Sequence, residues 1–163
     1  TNYTWSQSAV SDEGVVITGV FDPINGGLSP RENPASNFVT DGRSLQGQSD
    51  HIFNLQLGVE DQELDSRATI LVNWASERVR NVEGFLSGGV NTPVVIEQPP
   101  LLVDFVYSRG FEKFGGQWEI GLKIRNILGE EYKATQDFAD GTSADFDLYK
   151  LGREFSLSLK HKF

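Results

Sequence analysis

Residues 152–163 read GREFSLSLKHKF, and the alternation in this stretch decides the fold class. Phe155, Leu157 and Leu159 take every second place, and Phe163 resumes the series after His161. Ser156, Ser158, Lys160 and Lys162 fill the places between. Successive side chains of a strand point to opposite faces, so this pattern specifies a strand with one apolar face. The chain stops on the pattern, on an aromatic residue and without the mobile polar tail usual at a domain end. At the other end Tyr3 and Trp5 alternate with Asn2, Thr4 and Ser6. Both ends read as strand interiors or margins, which leads to the expectation that the chain is a piece of something larger.

Working outward, period-2 alternation recurs and 3.6-residue periodicity is nearly absent. Six strand candidates follow: roughly 2–10, 51–60, 67–79, 101–110, 117–126 and the closing stretch. In 51–60 (HIFNLQLGVE), Phe53, Leu55, Leu57 and Val59 share one face. In 67–79 the matching set is Ala68, Ile70, Val72 and Trp74, and in 101–110 it is Val103, Phe105 and Tyr107. The cleanest is 117–126 (QWEIGLKIRN), where Trp118, Ile120, Leu122 and Ile124 face away from Glu119, Lys123 and Arg125. The connections alternate in length. Tight turns fall at Asp61 to Ser66 and Phe111 to Gly116, while long connections span about 11–47, 81–100 and 128–150 and hold most of the Pro and Gly. Short turns at one end and long loops at the other are the mark of an up-and-down antiparallel meander. Loops of this size are unusual in a compact soluble domain.

Composition removes several classes of function. The 163 residues suffice for one domain, with 38% hydrophobic residues and 17 glycines. With no cysteine there is no disulfide framework, thiol catalysis or Cys-based zinc site. A net charge of -9 without a Lys/Arg cluster argues against a nucleic-acid partner. No run of 18 apolar residues encodes a transmembrane helix, and TNYTWSQSAV has neither the basic start nor the apolar core of a secretory signal.

The apolar faces could pack together in a soluble β-sandwich or small barrel that binds a ligand or a protein, or they could face lipid. Four of the strands reach the 9 to 11 residues that cross a bilayer. Charges of both signs (Glu119, Lys123, Arg125, Glu154, Lys160 and Lys162) lie opposite the apolar residues, as in a hydrated lumen. Aromatics gather near strand ends: Phe111, Phe114 and Trp118 by one tight turn, Trp74 towards a long loop, and Phe163. A complete small membrane barrel is a third option, but six strands fall short of the roughly eight needed for closure.

The last third of the chain carries a resemblance. WEIGLKIRNILGEEYKATQ, an acidic loop and YKLGREFSLSLKHKF together resemble the C-terminal end of TonB-dependent outer-membrane receptors. The matching positions are Asn126, Ile127, Leu128, Gly129 and Tyr132, then Gly152, Arg153, Phe155, Leu157, Leu159 and Phe163. Upstream, 45–61 and 68–84 are similar to the preceding hairpin, so the likeness extends over most of 45–163. It implies an all-β chain whose six antiparallel meander strands form the C-terminal part of a 22-stranded transmembrane barrel, in the outer membrane of a Gram-negative bacterium. It further implies a receptor that imports a scarce ligand such as a ferric siderophore, cobalamin or a glycan. The plug, the earlier strands and the region that meets TonB would lie outside this chain.

The tight turns would then be periplasmic and the long loops extracellular. Phe53, Leu55, Leu57, Trp118, Ile120, Leu122 and Ile124 would face lipid or lipopolysaccharide. Phe155, Leu157, Leu159 and Phe163 would be the signal read by the barrel-assembly machinery. His161 stands where the family often has Tyr.

No catalytic centre and no cofactor is expected. No G-x-S-x-G elbow occurs, and His51 and His161, the only imidazoles, lie on different strands. The Gly-rich runs lack the strand–loop–helix context of a phosphate loop. Asp137, Asp140, Asp145 and Asp147 could in principle offer oxygen ligands to calcium, but their spacing fits no EF-hand and no metal is expected. Arg78 and Arg80 could meet an anionic ligand or, more simply, lipopolysaccharide at the membrane boundary.

Overall fold

The computed structural model describes residues 1–82, 84–86, 90–138 and 141–162, with the backbone alone at 85, 86, 90 and 91. The described residues form β1 (Asn2–Trp5), β2 (Val15–Asp22), β3 (Gly27–Pro34), a short 3-10 turn (Ala35–Asn37), β4 (His51–Asp61), β5 (Ser66–Ala75) and β6 (Arg78–Asn81). They continue with β7 (Gly84–Leu86), β8 (Val90–Thr92), β9 (Val95–Gln98), β10 (Leu102–Lys113), β11 (Gly116–Arg125), β12 (Glu131–Asp137), β13 (Ser143–Lys150) and β14 (Glu154–Lys162). The chain is all-β, and its strand pairs are antiparallel.

Six strands build the main sheet in the order β1-β4-β5-β10-β11-β14. This is a meander, because each strand pairs with the next long strand along the chain. The sheet does not close on itself: β1 and β14 are its edges. Its four central strands run 10 to 12 residues, longer than is usual in soluble sheets.

Both short connections are shaped by local chemistry. Between β4 and β5 the Asp61 carboxylate accepts the backbone N–H groups of Glu63 and Leu64, at 2.9 and 3.1 Å, and so folds the turn on itself. Between β10 and β11 only Phe114 and Gly115 lie outside the ladder, and both have positive φ (56° and 75°). Two positive values in a two-residue loop define the hairpin turn that matches strand twist. All three long connections leave from the opposite end of the sheet.

Those connections are not bare loops. They hold a second, four-stranded sheet ordered β13-β12-β9-β6 and two separate hairpins, β2-β3 and β7-β8. The first and third strand candidates are therefore shorter than the alternation suggested. β1 ends at Trp5, and the chain beyond it bonds instead to the returning loop, through Ser6 N–H to Asp50 O and Val10 N–H to Arg43 O. The stretch 67–79 breaks after Ala75, where the Ser76 hydroxyl accepts the His51 N–H and its carbonyl accepts the Ser49 hydroxyl. Beyond that break the chain joins the loop sheet as β6. Ahead of the closing strand Gly152 turns with φ 73°, and β14 begins at Glu154.

The core is in an unusual place. Among the described residues the buried apolar side chains are Ala35, Val79, Val95 and Ala134, all in the long connections. Of the main sheet's residues none is buried, and β14 is exposed along its whole described length.

Candidate functional site

Residues paired across antiparallel strands share a face, so the register sorts the main sheet into two surfaces. One carries unbroken apolar rows. Leu57, Ile70, Phe105, Ile124 and Phe155 form a row across five strands, and Val59, Ala68, Tyr107, Leu122 and Leu157 form the next. Leu55, Val72 and Val103 lie on the long-loop side of these rows, and Ser66, Arg109, Ile120 and Leu159 on the tight-turn side. The seven positions read from the sequence as one surface, Phe53, Leu55, Leu57, Trp118, Ile120, Leu122 and Ile124, stand together on this face with Phe155, Leu157 and Leu159. Phe163 lies outside the described residues.

Both ends of the face are aromatic. At the long-loop end Tyr3, Phe53 and Trp74 form one row, and Trp5 and His51 pair beyond it. There the Tyr3 hydroxyl is 2.8 Å from His51 Nδ1. At the tight-turn end Phe111, Trp118 and His161 form the last aromatic row, with Lys113 and Gly116 beyond it. The His161 ring stacks on Trp118 with centroids 4.1 Å apart and lies over Gly116, where any Cβ would collide with it. The Trp118 indole N–H donates to the Lys113 carbonyl at 2.9 Å, which fixes the ring beside the turn.

The height of the band follows from the register. Four two-residue steps run along β5 from Trp74 to Ser66, and one more runs along β10 from Arg109, the partner of Ser66, to Phe111. Ten residues of strand span about 33 Å, or roughly 25 Å along the normal of a sheet tilted by about 40°. Nothing among the described residues covers this face: Leu57 is 59% exposed and Leu157 75%.

The opposite surface is polar and bound by ion pairs between neighbouring strands: Glu60 with Arg67 at 2.9 Å, Glu119 with Lys160 at 2.7 Å and Arg125 with Glu154 at 3.3 Å. These include four of the mixed charges expected to line a lumen. Ile52, Leu71, Ala75, Leu102 and Val106 are apolar exceptions on this surface.

Above the long-loop end stands the four-stranded loop sheet. Arg78 on β6 meets Glu97 on β9 through a fork of two bonds, 2.7 and 3.0 Å long. Arg80, the bulged residue of β6, pairs with Asp147 on β13. Its guanidinium lies 5.8 Å from the Tyr132 ring centre and 5.6 Å from that of Phe146, and Tyr132 stacks on Tyr149 at 4.6 Å. The hydrogen bonds from Arg78 hold the Glu97 carboxyl below its ordinary range, and burial pushes the Tyr132 phenol up. Arg78 thus ties two strands of one long connection, and Arg80 ties that connection to the last one. They are not loose charges at a membrane boundary.

The acidic run is also largely accounted for. Asp145 pairs with Lys133 at 3.6 Å and Asp147 with Arg80, while Asp140 lies outside the described residues. No group of three or more metal-binding side chains comes together among the described residues.

The residues that carried the family resemblance form a bonded joint at the base of the last loop. Asn126 is buried and holds a positive φ of 50°. Its side-chain amide donates to the carbonyls of Glu130 (3.1 Å) and Gly152 (2.8 Å), and its side-chain oxygen accepts the Glu130 N–H (3.0 Å). The Asn126 N–H donates to Asp104 Oδ1 at 3.0 Å. Arg153 reaches back to the carbonyls of Ile127 and Leu128, at 2.8 and 3.1 Å, closing over Gly129.

Sequence reading missed the loop sheet and with it Glu97, Phe146 and Tyr149. The signal was present but faint. SADFDLYK alternates over only eight residues, and VVITGVFD precedes an Asx turn in which Asp22 accepts the N–H groups of Ile24 and Asn25. Pro30 and Pro34 disguise β3, whose position at an edge tolerates proline. Comparison of the chain with family models, with curated proteins and with solved structures finds no match.

Proposed function

We propose that this chain is the C-terminal six-strand segment of a 22-stranded TonB-dependent receptor barrel in the outer membrane of a Gram-negative bacterium. The receptor imports a scarce ligand such as a ferric siderophore, cobalamin or a glycan. The observation that carries this reading is the uncovered apolar band, about 25 Å tall and aromatic at both ends, set against an ion-paired polar face. A soluble sandwich would need a second layer over that band, and the described residues supply none. The open edges at β1 and β14 agree with it, because lipid does not tolerate unpaired strand edges and the remaining barrel strands would pair them.

In this assignment the loop sheet lies outside the cell and contributes to ligand capture. Lipid and lipopolysaccharide contact the apolar rows, the plug sits against the ion-paired face, and TonB acts through a region outside this chain. Phe155, Leu157 and Leu159 on the last strand, together with the residue Phe163, present the assembly signal to the barrel-assembly machinery. The chain carries out no chemistry of its own.

The absence of cysteine gives a clean test. Single cysteines at Leu57, Ile120 and Leu157 in the membrane-inserted protein should resist a water-soluble maleimide, and cysteines at Glu119 and Ser158 should react. Equal labelling of the two sets would remove the lipid assignment.

A further inference from the structure

We infer that the tight-turn end of the apolar face is a binding site for the phosphate of a phospholipid headgroup, built from Arg109 and Lys113 around an aromatic floor of Phe111, Trp118 and His161. The inference rests on the membrane reading above and adds to it a specific ligand chemistry.

Cations are distributed unequally over the main sheet. On the polar face Arg67, Arg125 and Lys160 are each neutralised by a carboxylate, and Lys123 and Lys162 stand in rows with Ser156 and with Gln117. On the apolar face the only Lys or Arg side chains are Arg109 and Lys113, and both belong to the last rows before the turn. Among the described residues no carboxylate pairs with either one. Lys113 Nζ instead stands 5.2 Å from the Phe114 ring centre. Of the acids at this rim, Asp61 on the Ser66–Arg109 row has its carboxylate engaged by the turn N–H groups of Glu63 and Leu64, and the Asp65 carboxylate lies against Gly110 on the polar face.

An unpaired cation beside aliphatic rows is unfavourable unless its headgroup finds water or an anion. Arg109 and Lys113 flank Phe111 on the same face at two-residue steps, so both stems can run along the band and bring their charges to its lower rim. The aromatic floor there is fixed, with Trp118 held by the Lys113 carbonyl and stacked by His161. In a bilayer this level is that of the phosphates. An arginine fork and a lysine ammonium supply the charge-assisted donors that a phosphodiester accepts. At the long-loop end the face has aromatic residues but no Lys or Arg, so the site is confined to one leaflet.

The test compares two lipids without net charge, of which one has phosphate. The protein is extracted from the membrane fraction in a non-ionic detergent and titrated with phosphatidylcholine or with digalactosyldiacylglycerol, and retained lipid is counted by native mass spectrometry. Phosphatidylcholine should be retained about fivefold better, as expected from one or two exposed charge contacts. Arg109→Gln with Lys113→Gln should abolish the preference. Lys123→Gln with Arg125→Gln, which removes the same charge from the opposite face further from this rim, should keep it. Equal retention of the two lipids, or a preference that survives the first pair or is lost with the second, overturns the headgroup site and leaves the membrane reading standing. Recovery of the protein only from the aqueous fraction overturns both.

Discussion

At the scale of single residues, Asn126 carries more of the structure than its size suggests. Asparagine tolerates the left-handed backbone region better than other non-glycine residues, and its short amide can serve as donor and acceptor at once. Here it does both, tying the end of β11 to the start of the loop at Glu130 and to its return at Gly152. Alanine would keep the strained φ and leave buried backbone groups without partners. Asn126→Ala should therefore destabilise the protein by about 1–3 kcal/mol, read as a lowered melting temperature in detergent, and unchanged melting would deny the joint its role. The sequence already displayed this residue, since NILG and GR were the positions that resembled a family. What it could not display was the reason, because the partner Gly152 lies 26 residues away and meets Asn126 only when the strands have paired.

At the scale of elements, the loop sheet is held by ties within and between the long connections. Glu97 is held ionised by Arg78, so its folded pKa lies below the unfolded one. A depressed carboxyl contributes stability above its ordinary range and loses it as the pH falls through the folded value. The tie should thus be intact at neutral pH and weaken below about pH 4. Arg78 is partly exposed and Glu97 less so, at 35% and 13%, and solvent screening limits the contribution of the pair to about 1 kcal/mol. The stacked Tyr132–Tyr149 pair on the same sheet offers a readout. Its near-ultraviolet circular dichroism should fade on acidification, and Glu97→Gln should show the weakened signal already at neutral pH. A signal that is constant from pH 7 to pH 3 in both proteins would show that the fork does not hold the loop sheet. Sequence alone marked these segments as long connections, because short strands interrupted by bulges give too few alternations to register.

At the scale of the whole molecule, the buried core lies in the connections, and the largest sheet keeps neither face covered. Such a sheet presents unpaired edges and continuous apolar rows to water, a combination that drives association. In plain buffer the chain should sediment as oligomers, and detergent should disperse them; a monodisperse monomer in buffer would contradict the membrane reading. The alternation in 51–60, 68–74, 103–107, 118–124 and 155–159 determined by itself that the chain is all-β, which residues share the apolar face and which connections are short. Those are consequences of a two-residue period and need no long-range information. Only the tertiary structure decided that the apolar face stays uncovered, that Arg78 and Arg80 are tied to Glu97 and Asp147, and that Arg109 and Lys113 stand unpaired at one rim. Burial and ion pairing depend on which strands become neighbours, and that is set by contacts across tens of residues that no local pattern encodes.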